Sequence, residues 1–319
     1  MAIVIEGGWT IGGGISILPP PSVATAGWFG GGSPGPYSTV NRITFATDTA
    51  TASSRGPLYG INSDIAAAGT LSSGWWGGGT PNGSYNQLIT YSTDTATASL
   101  RGSLSTAVRG LAATSDGTTY GWWAGGFTGS DAVATVQRTT YATDTAATTT
   151  RGPLNGKRTY VTGIGTTAYG WVGGGNVWSP SFANTDALER ITYANDTATA
   201  STRGPVGYAA SGIGAVTDQT TYGWWAGGNG NPSPFTSTIY RTTFATDTAT
   251  AAARSSLSAA NAYLAGTGDV TYGWFGGGVA PSYISNVQRM TFATDTAATS
   301  ARGPLTYAVS RHGAASGVQ

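Results

Sequence analysis

One short motif is written six times along this chain. "AGWFGGG" begins at Ala26, "SGWWGGG" at Ser73, "YGWWAGG" at Tyr120, "YGWVGGG" at Tyr169, "YGWWAGG" at Tyr222 and "YGWFGGG" at Tyr272. The Gly before each Trp falls at Gly27, Gly74, Gly121, Gly170, Gly223 and Gly273, at intervals of 47, 47, 49, 53 and 50 residues. A second element follows each motif: "RITFATDT" from Arg42, with counterparts from Leu88, Arg138, Arg190, Arg241 and Arg289. A third follows that, of the form "ATASSRGPL". A fixed period near 50 residues means that each unit is one supersecondary structure, which buries its faces only by stacking on its copies.

Spacing inside the repeat separates scaffold from variable loop. The acidic residue of the "DT" pair (Asp48, Asp94, Asp144, Asp196, Asp247, Asp295) is followed 7 residues later by an arginine (Arg55, Arg101, Arg151, Arg203, Arg254, Arg302). By contrast, the distance from the last motif Gly to the position of Arg42 varies: 10, 9, 12, 15, 13 and 11 residues. One hairpin is therefore tightly specified and one loop is free.

Each repeat reads as four strands. In the third, these are "RGLAATSD" from Arg109, "TYGWWAGG" from Thr119, "VQRTTYATD" from Val136 and "AATTTRGPL" from Ala146. Neighbouring strand residues point to opposite faces, so Trp122 is expected to face one adjacent unit and Trp123 the other. Adjacent aromatics suit a sheet that is covered on both faces, and Gly beside them permits close backbone approach. The ends do not match the repeat boundaries. "AVSRHGAASGVQ" from Ala308 reads as a first strand without a second, and "ATAGWFGGG" from Ala24 as a second strand without a first. Pairing the two closes a ring and removes two free edges. The expectation is all-β: a six-bladed β-propeller of four-stranded blades over residues 23–319, closed by the C-terminal strand pairing with the N-terminal blade. Residues 1–22 lie outside the repeat. "AIVIEGG" and "ISIL" read there as two short strands, and Pro19, Pro20 and Pro21 as a stiff spacer. The segment is either an extra strand packed on the ring or an anchor to other subunits.

Composition limits the function classes. Only 9% of residues are charged, yet the chain holds 11 Trp, 16 Tyr and 8 Phe, more aromatic bulk than low-complexity disorder carries. The net charge of +1 without a basic cluster argues against a nucleic-acid partner. No apolar run reaches the ~18 residues of a membrane span, so membrane insertion is not expected. Without Cys there is no disulfide or thiolate metal site. The start has no basic region of the secretory type.

Little titratable chemistry stands outside the repeat. Eleven of 15 Lys and Arg and six of 14 Asp and Glu are repeat residues. The repeat Asp is expected to cap its hairpin turn, and the repeat Arg to hydrogen-bond across blades. Glu6, Asp64, Asp116, Asp131, Asp186, Glu189, Asp218, Asp269, Arg109, Lys157, Arg158, Arg311 and the single His312 remain. Asp116, Asp218 and Asp269 sit in turns before second strands. Asp186 and Glu189 could form an acid pair for glycoside hydrolysis, but read better as a solvated loop pair. His312 lacks the Cys or second His that a metal site needs and reads as a packed residue. No enzyme, cofactor or metal is expected.

Recognition is expected in the variable loops, which follow the second strands. They carry Tyr37, Tyr85, Phe127, Trp178, Phe182, Phe235 and Tyr283 among Asn, Ser and Pro. Aromatic rings among short polar side chains suit sugars, which offer an apolar face to stack on and hydroxyls to hydrogen-bond. The alternative is that these rings pack on neighbouring loops or on another subunit.

The double glycine after the second strand, followed by "RxTYxxDT", resembles the kelch repeat. The Trp usual in the kelch fourth strand is absent, and the aromatic bulk stands in the second strand. "GWFGGG…VNRITFATDTATASSRGPL" more closely resembles the repeat of virion and tail-fibre proteins of phages that infect marine cyanobacteria, over residues 26–319. That resemblance implies a virion structural protein of the tail or fibre apparatus, assembled in the host cytoplasm and released by lysis, with its variable-loop face toward host-surface polysaccharide. The alternative it implies is a purely structural decoration or connector protein. Expected partners are other virion subunits, through residues 1–22, and host polysaccharide. Self-association is compatible with both.

Overall fold

The computed structural model describes residues 10–11, 15–16, 23–35, 37–178, 182–230 and 234–317. Six four-stranded antiparallel sheets form a six-bladed β-propeller. Blade 3 shows the pattern, with Ala112–Ser115, Tyr120–Ala124, Val136–Thr140 and Thr149–Arg151 adjacent in chain order. Blade 2 uses Ala66–Gly69, Ser73–Gly77, Asn86–Thr90 and Ser99–Leu100, and blade 4 uses Thr162–Gly165, Tyr169–Gly173, Leu188–Thr192 and Ser201–Arg203. Blade 5 comprises Gly214–Thr217, Tyr222–Ala226, Thr238–Thr243 and Ala252–Ser256, and blade 6 Ala265–Gly268, Tyr272–Gly276, Val287–Thr291 and Ser300–Arg302. Blade 1 joins Ala26–Gly30, Val40–Thr44 and Ser53–Arg55 to Gly313–Ala315 from the far end of the chain. There Trp28 pairs Ala315, Phe29 pairs Ala314 and Gly30 pairs Gly313. The ring is closed as the unmatched ends of the repeat require.

Two elements differ from the strand reading. The third strand stops at Thr140, and Tyr141–Thr143 forms a 3₁₀ turn that ends on Asp144. The fourth strand is short, Thr149–Arg151, and Gly152 and Pro153 lie beyond it. Near the start, Thr10–Ile11 pairs with Ile15–Ser16. The predicted strand at "AIVIEGG" and the proline spacer fall outside the described residues.

The paired aromatics face opposite neighbours. Trp122 belongs to a core cluster shared with blade 4, and Trp123 to one shared with blade 2. Each first Trp is clasped by the blade that follows it. Its indole stacks on the aromatic residue of the 3₁₀ turn: Trp28 on Tyr91, Trp75 on Tyr141, Trp122 on Tyr193, Trp171 on Phe244, Trp224 on Phe292 and Trp274 on Phe45, with ring centroids 3.6–4.2 Å apart. Its Nε1–H donates to the repeat Asp of the same turn. Trp28 donates to Asp94, Trp75 to Asp144, Trp122 to Asp196, Trp171 to Asp247 and Trp274 to Asp48, all at 2.8 Å, and Trp224 to Asp295 at 3.0 Å.

The repeat Asp is thus a junction between blades. Its carboxylate reaches out of its own hairpin, which corrects the expectation that it caps the turn. The arginines of the preceding blade converge on it. Arg138 and Arg151 lie 3.0 and 3.5 Å from Asp196, Arg289 and Arg302 3.1 and 2.9 Å from Asp48, and Arg42 and Arg55 3.6 and 3.4 Å from Asp94. In the same way Arg190 and Arg203 meet Asp247, and Arg241 and Arg254 meet Asp295. Among the described residues Asp144 meets only Arg101, just past the fourth strand of blade 2, because Leu88 stands at the third-strand position. A buried carboxylate needs such a full set of donors.

Candidate functional site

Loops that follow the second strands and loops that lead into the first strands share one face. Two places on that face carry side chains outside the repeat: the rim and the axis.

The rim holds the aromatics predicted from the sequence, and the structure sorts them. Phe127 is 8% exposed, Trp178 40% and Phe182 60%, and together they form one cluster. Trp178 lies 4.6 Å from Phe127 and 5.0 Å from Phe182, the latter edge-on. The Arg109 guanidinium sits 5.2 Å from the Phe127 ring. Beside it, Pro81, Val108, Arg109 and Phe127 line a groove of about 250 Å³ between the loops of blades 2 and 3. The other predicted rings are not part of this group. Tyr37 is half-buried and packs edge-on against Tyr307, 5.2 Å away, and Tyr85 packs against Tyr59 at 6.0 Å. Tyr283 is exposed, and Phe235 is half-buried.

At the axis stands a cluster the sequence reading missed. Two residues before each first strand the chain enters the left-handed region: Asp64 (φ 55°), Gly110 (62°), Tyr160 (52°), Gly212 (62°), Tyr263 (56°) and Arg311 (57°). A chain of backbone hydrogen bonds runs through all six. Gly110 N donates to Asp64 O, Asp64 N to Arg311 O, Arg311 N to Tyr263 O, Tyr263 N to Gly212 O and Gly212 N to Tyr160 O, at 2.7–3.2 Å. Non-Gly residues are uncommon at such φ, and those that persist cluster at functional sites.

Their side chains meet over the channel. Arg311 lies 4.7 Å from the Tyr263 ring and, across the axis, 5.5 Å from the Tyr160 ring. The two tyrosines are edge to face at 5.6 Å. Arg311 Nε stands 3.7 Å from Asp64 Oδ1, an ion pair too long to be a hydrogen bond, and that buried oxygen has no hydrogen-bond partner. Burial pushes the Asp64 carboxyl above its ordinary value, while Arg311 and Arg109 pull the other way. Beneath them the first strands enclose a cavity of about 110 Å³ lined by small residues such as Ala67, Ala113, Gly163, Ala215, Gly266 and Ala314. Small residues are needed there, since a Cβ on Gly266 would stand 2.0 Å from Ala215 O.

The signal for this site was in the sequence. Aligned by repeat, the position reads Asp, Gly, Tyr, Gly, Tyr, Arg, a change of chemistry from blade to blade in a chain that otherwise repeats itself.

Several of the other titratable groups have structural places. Glu189 is not a solvated loop residue, which corrects the expectation. It is buried in the third strand of blade 4, with Oε1 2.9 Å from Arg158 Nη2, while Arg158 Nη1 donates to the carbonyls of Gly174 and Ala187. Asp116 Oδ1 accepts from the backbone of Thr118, Thr119 and Tyr120, and Asp218 and Asp269 act likewise in their turns. Burial holds His312, beside Phe29, far below the ordinary imidazole value, at about 4. Among the described residues no group of three His, Cys, Asp or Glu is placed to hold a metal ion. No family model matches the chain, and no curated protein matches it.

Proposed function

We propose that this chain is a structural protein of a phage tail or fibre that presents its variable-loop face to glycans of the host surface. The observation that carries this reading is the Phe127–Trp178–Phe182 cluster. Two large aromatic rings are left open to solvent on a ring whose other described Trp are all buried. Exposed aromatics on loops held by a closed scaffold are where recognition concentrates, and such rings stack on sugar faces. The kelch-like character of the repeat and its resemblance to cyanophage virion proteins set the biological context of the proposal.

The test mixes fluorescently labelled full-length protein with marine cyanobacterial cells and with their isolated surface polysaccharide. Saturable binding is expected, and it should disappear in Trp178→Ala/Phe182→Ala while the melting temperature holds. Absence of binding at micromolar protein would overturn the reading and move the face to subunit assembly.

A further inference from the structure

We propose that the axial mouth is a second binding site, built to take one neutral hexopyranose residue through a pair of adjacent hydroxyls. Asp64 Oδ1 and the Arg311 guanidinium face each other at 3.7 Å, too far apart to satisfy one another. The carboxylate oxygen is buried and lacks a donor. A buried acceptor without a donor is costly, and a hydroxyl from outside supplies one. The same hydroxyl, or its neighbour on a pyranose ring, accepts from the guanidinium. A carboxylate beside a guanidinium therefore matches a vicinal diol: each hydroxyl both donates and accepts. Tyr160 and Tyr263 add the apolar surface on which the C–H face of a sugar rests.

Three further observations support a built site. All four side chains stand on left-handed backbone that Gly occupies in blades 3 and 5. Gly would also be the less strained choice in blades 1, 2, 4 and 6. The two glycines make room for the tyrosines: a Cβ on Gly212 would stand 2.5 Å from the Tyr263 ring, and one on Gly110 3.3 Å from the Tyr160 ring. Finally, Arg311 reaches from blade 1 across the axis to Tyr160 of blade 4, so a ligand seated here touches residues from opposite sides of the ring. An anion is disfavoured because Asp64 stands within the same cluster.

The site is independent of the rim aromatics, and its test keeps the two apart. D-glucose, D-galactose and D-mannose are titrated separately into the full-length protein and followed by saturation-transfer NMR, with inorganic phosphate as a fourth probe. At least one sugar should bind saturably in the millimolar range, and phosphate should not. Asp64→Asn keeps a residue tolerant of left-handed backbone and should weaken sugar binding about tenfold or more. Tyr160→Gly/Tyr263→Gly copies what blades 3 and 5 already use; it should melt no earlier than the parent yet lose the sugar signal. Trp178→Ala/Phe182→Ala should retain it. No binding of any of the three sugars overturns the proposal. So does sugar binding that survives the tyrosine double variant, and so does binding of phosphate in place of sugar.

Discussion

At the residue scale, six carboxylates each tie one blade to the blade before it. Asp196 accepts from Trp122 at 2.8 Å and from Arg138 at 3.0 Å, and Arg151 lies at 3.5 Å. Asp196→Ala leaves a buried indole N–H unpaired and two arginines unneutralised. The expected cost is about 3 kcal/mol, with the arginines' partial exposure already discounted. Asp144 has one arginine fewer, so Asp144→Ala should cost about 1 kcal/mol less. Equilibrium urea unfolding of the two variants checks this; equal losses would mean that the third-strand arginine contributes nothing. His312 gives a second prediction. Its folded value of about 4 lies below the ordinary 6.5, so the folded state excludes a proton that the unfolded chain binds. Its contribution is complete above pH 6.5 and declines as pH falls toward 4, by about 3 kcal/mol. Urea midpoints at pH 7 and pH 4.5 should differ less in His312→Leu than in the parent. These roles were only half legible in the sequence. The repeat Arg was expected to reach across blades and does so, but the fixed spacing of seven residues within one hairpin did not show that the Asp leaves its own turn to meet it.

At the element scale, glycine after the fourth-strand arginine sets how closely blades approach. A Cβ on Gly152 would stand 2.0 Å from Ala198 O, and Gly56, Gly102, Gly204 and Gly303 are as confined. The backbone N–H at these positions donates to the carbonyl of the repeat Asp in the next blade, as Gly152 does to Asp196 at 2.8 Å. Blade 5 carries Ser255 instead and shows the consequence. Its fourth strand extends to Ser256, the register shifts between Ile239 and Tyr240, and Arg254 grips Asp295 Oδ1 with two nitrogens at 2.9 and 3.0 Å. Gly152→Ala should therefore destabilise by about 2–3 kcal/mol through overpacking, whereas Ser255→Ala should be tolerated. Thermal unfolding of both distinguishes them, and an unchanged melting temperature for Gly152→Ala would show that blades 3 and 4 can separate freely. Strand order was legible here because alternation and glycine pairs mark strands and their ends. Strand length was not: "TTYATD" has the composition of a strand, but the Tyr must turn back to stack on the preceding blade's Trp, and this bends it into a 3₁₀ turn.

At the scale of the whole molecule, ring closure decides how the parts share their stability. The seam between blades 6 and 1 uses the Trp–aromatic stack and Trp–Asp bond of every other junction, with the full pair of arginines: Trp274 stacks on Phe45 and donates to Asp48, and Arg289 and Arg302 close on that carboxylate. The seam has one feature the others lack, since the innermost strand of blade 1, Gly313–Ala315, comes from the opposite end of the chain. The need for such a strand was legible from the unmatched ends, and so was the change of chemistry at the repeat position of Asp64; that the side chains of Asp64, Tyr160, Tyr263 and Arg311 meet was not, because the ring brings them together across distant repeats. Removing residues 308–319 should thus do two things at once. It uncovers the backbone edge of Ala26–Gly30, which unpaired strands use to associate, and it deletes Arg311 from the mouth. The truncated protein should melt earlier and self-associate in size-exclusion chromatography, in contrast to Arg311→Ala, which keeps the strand and should stay unassociated. A synthetic peptide spanning residues 306–317 should restore both the melting temperature and the elution volume, because the edge it fills is defined by Trp28, Phe29 and Gly30 and needs no covalent link. Should the truncated chain keep the parent's stability without the peptide, the seam strand would not be what holds the ring closed, and the Trp274–Asp48 clasp would suffice alone.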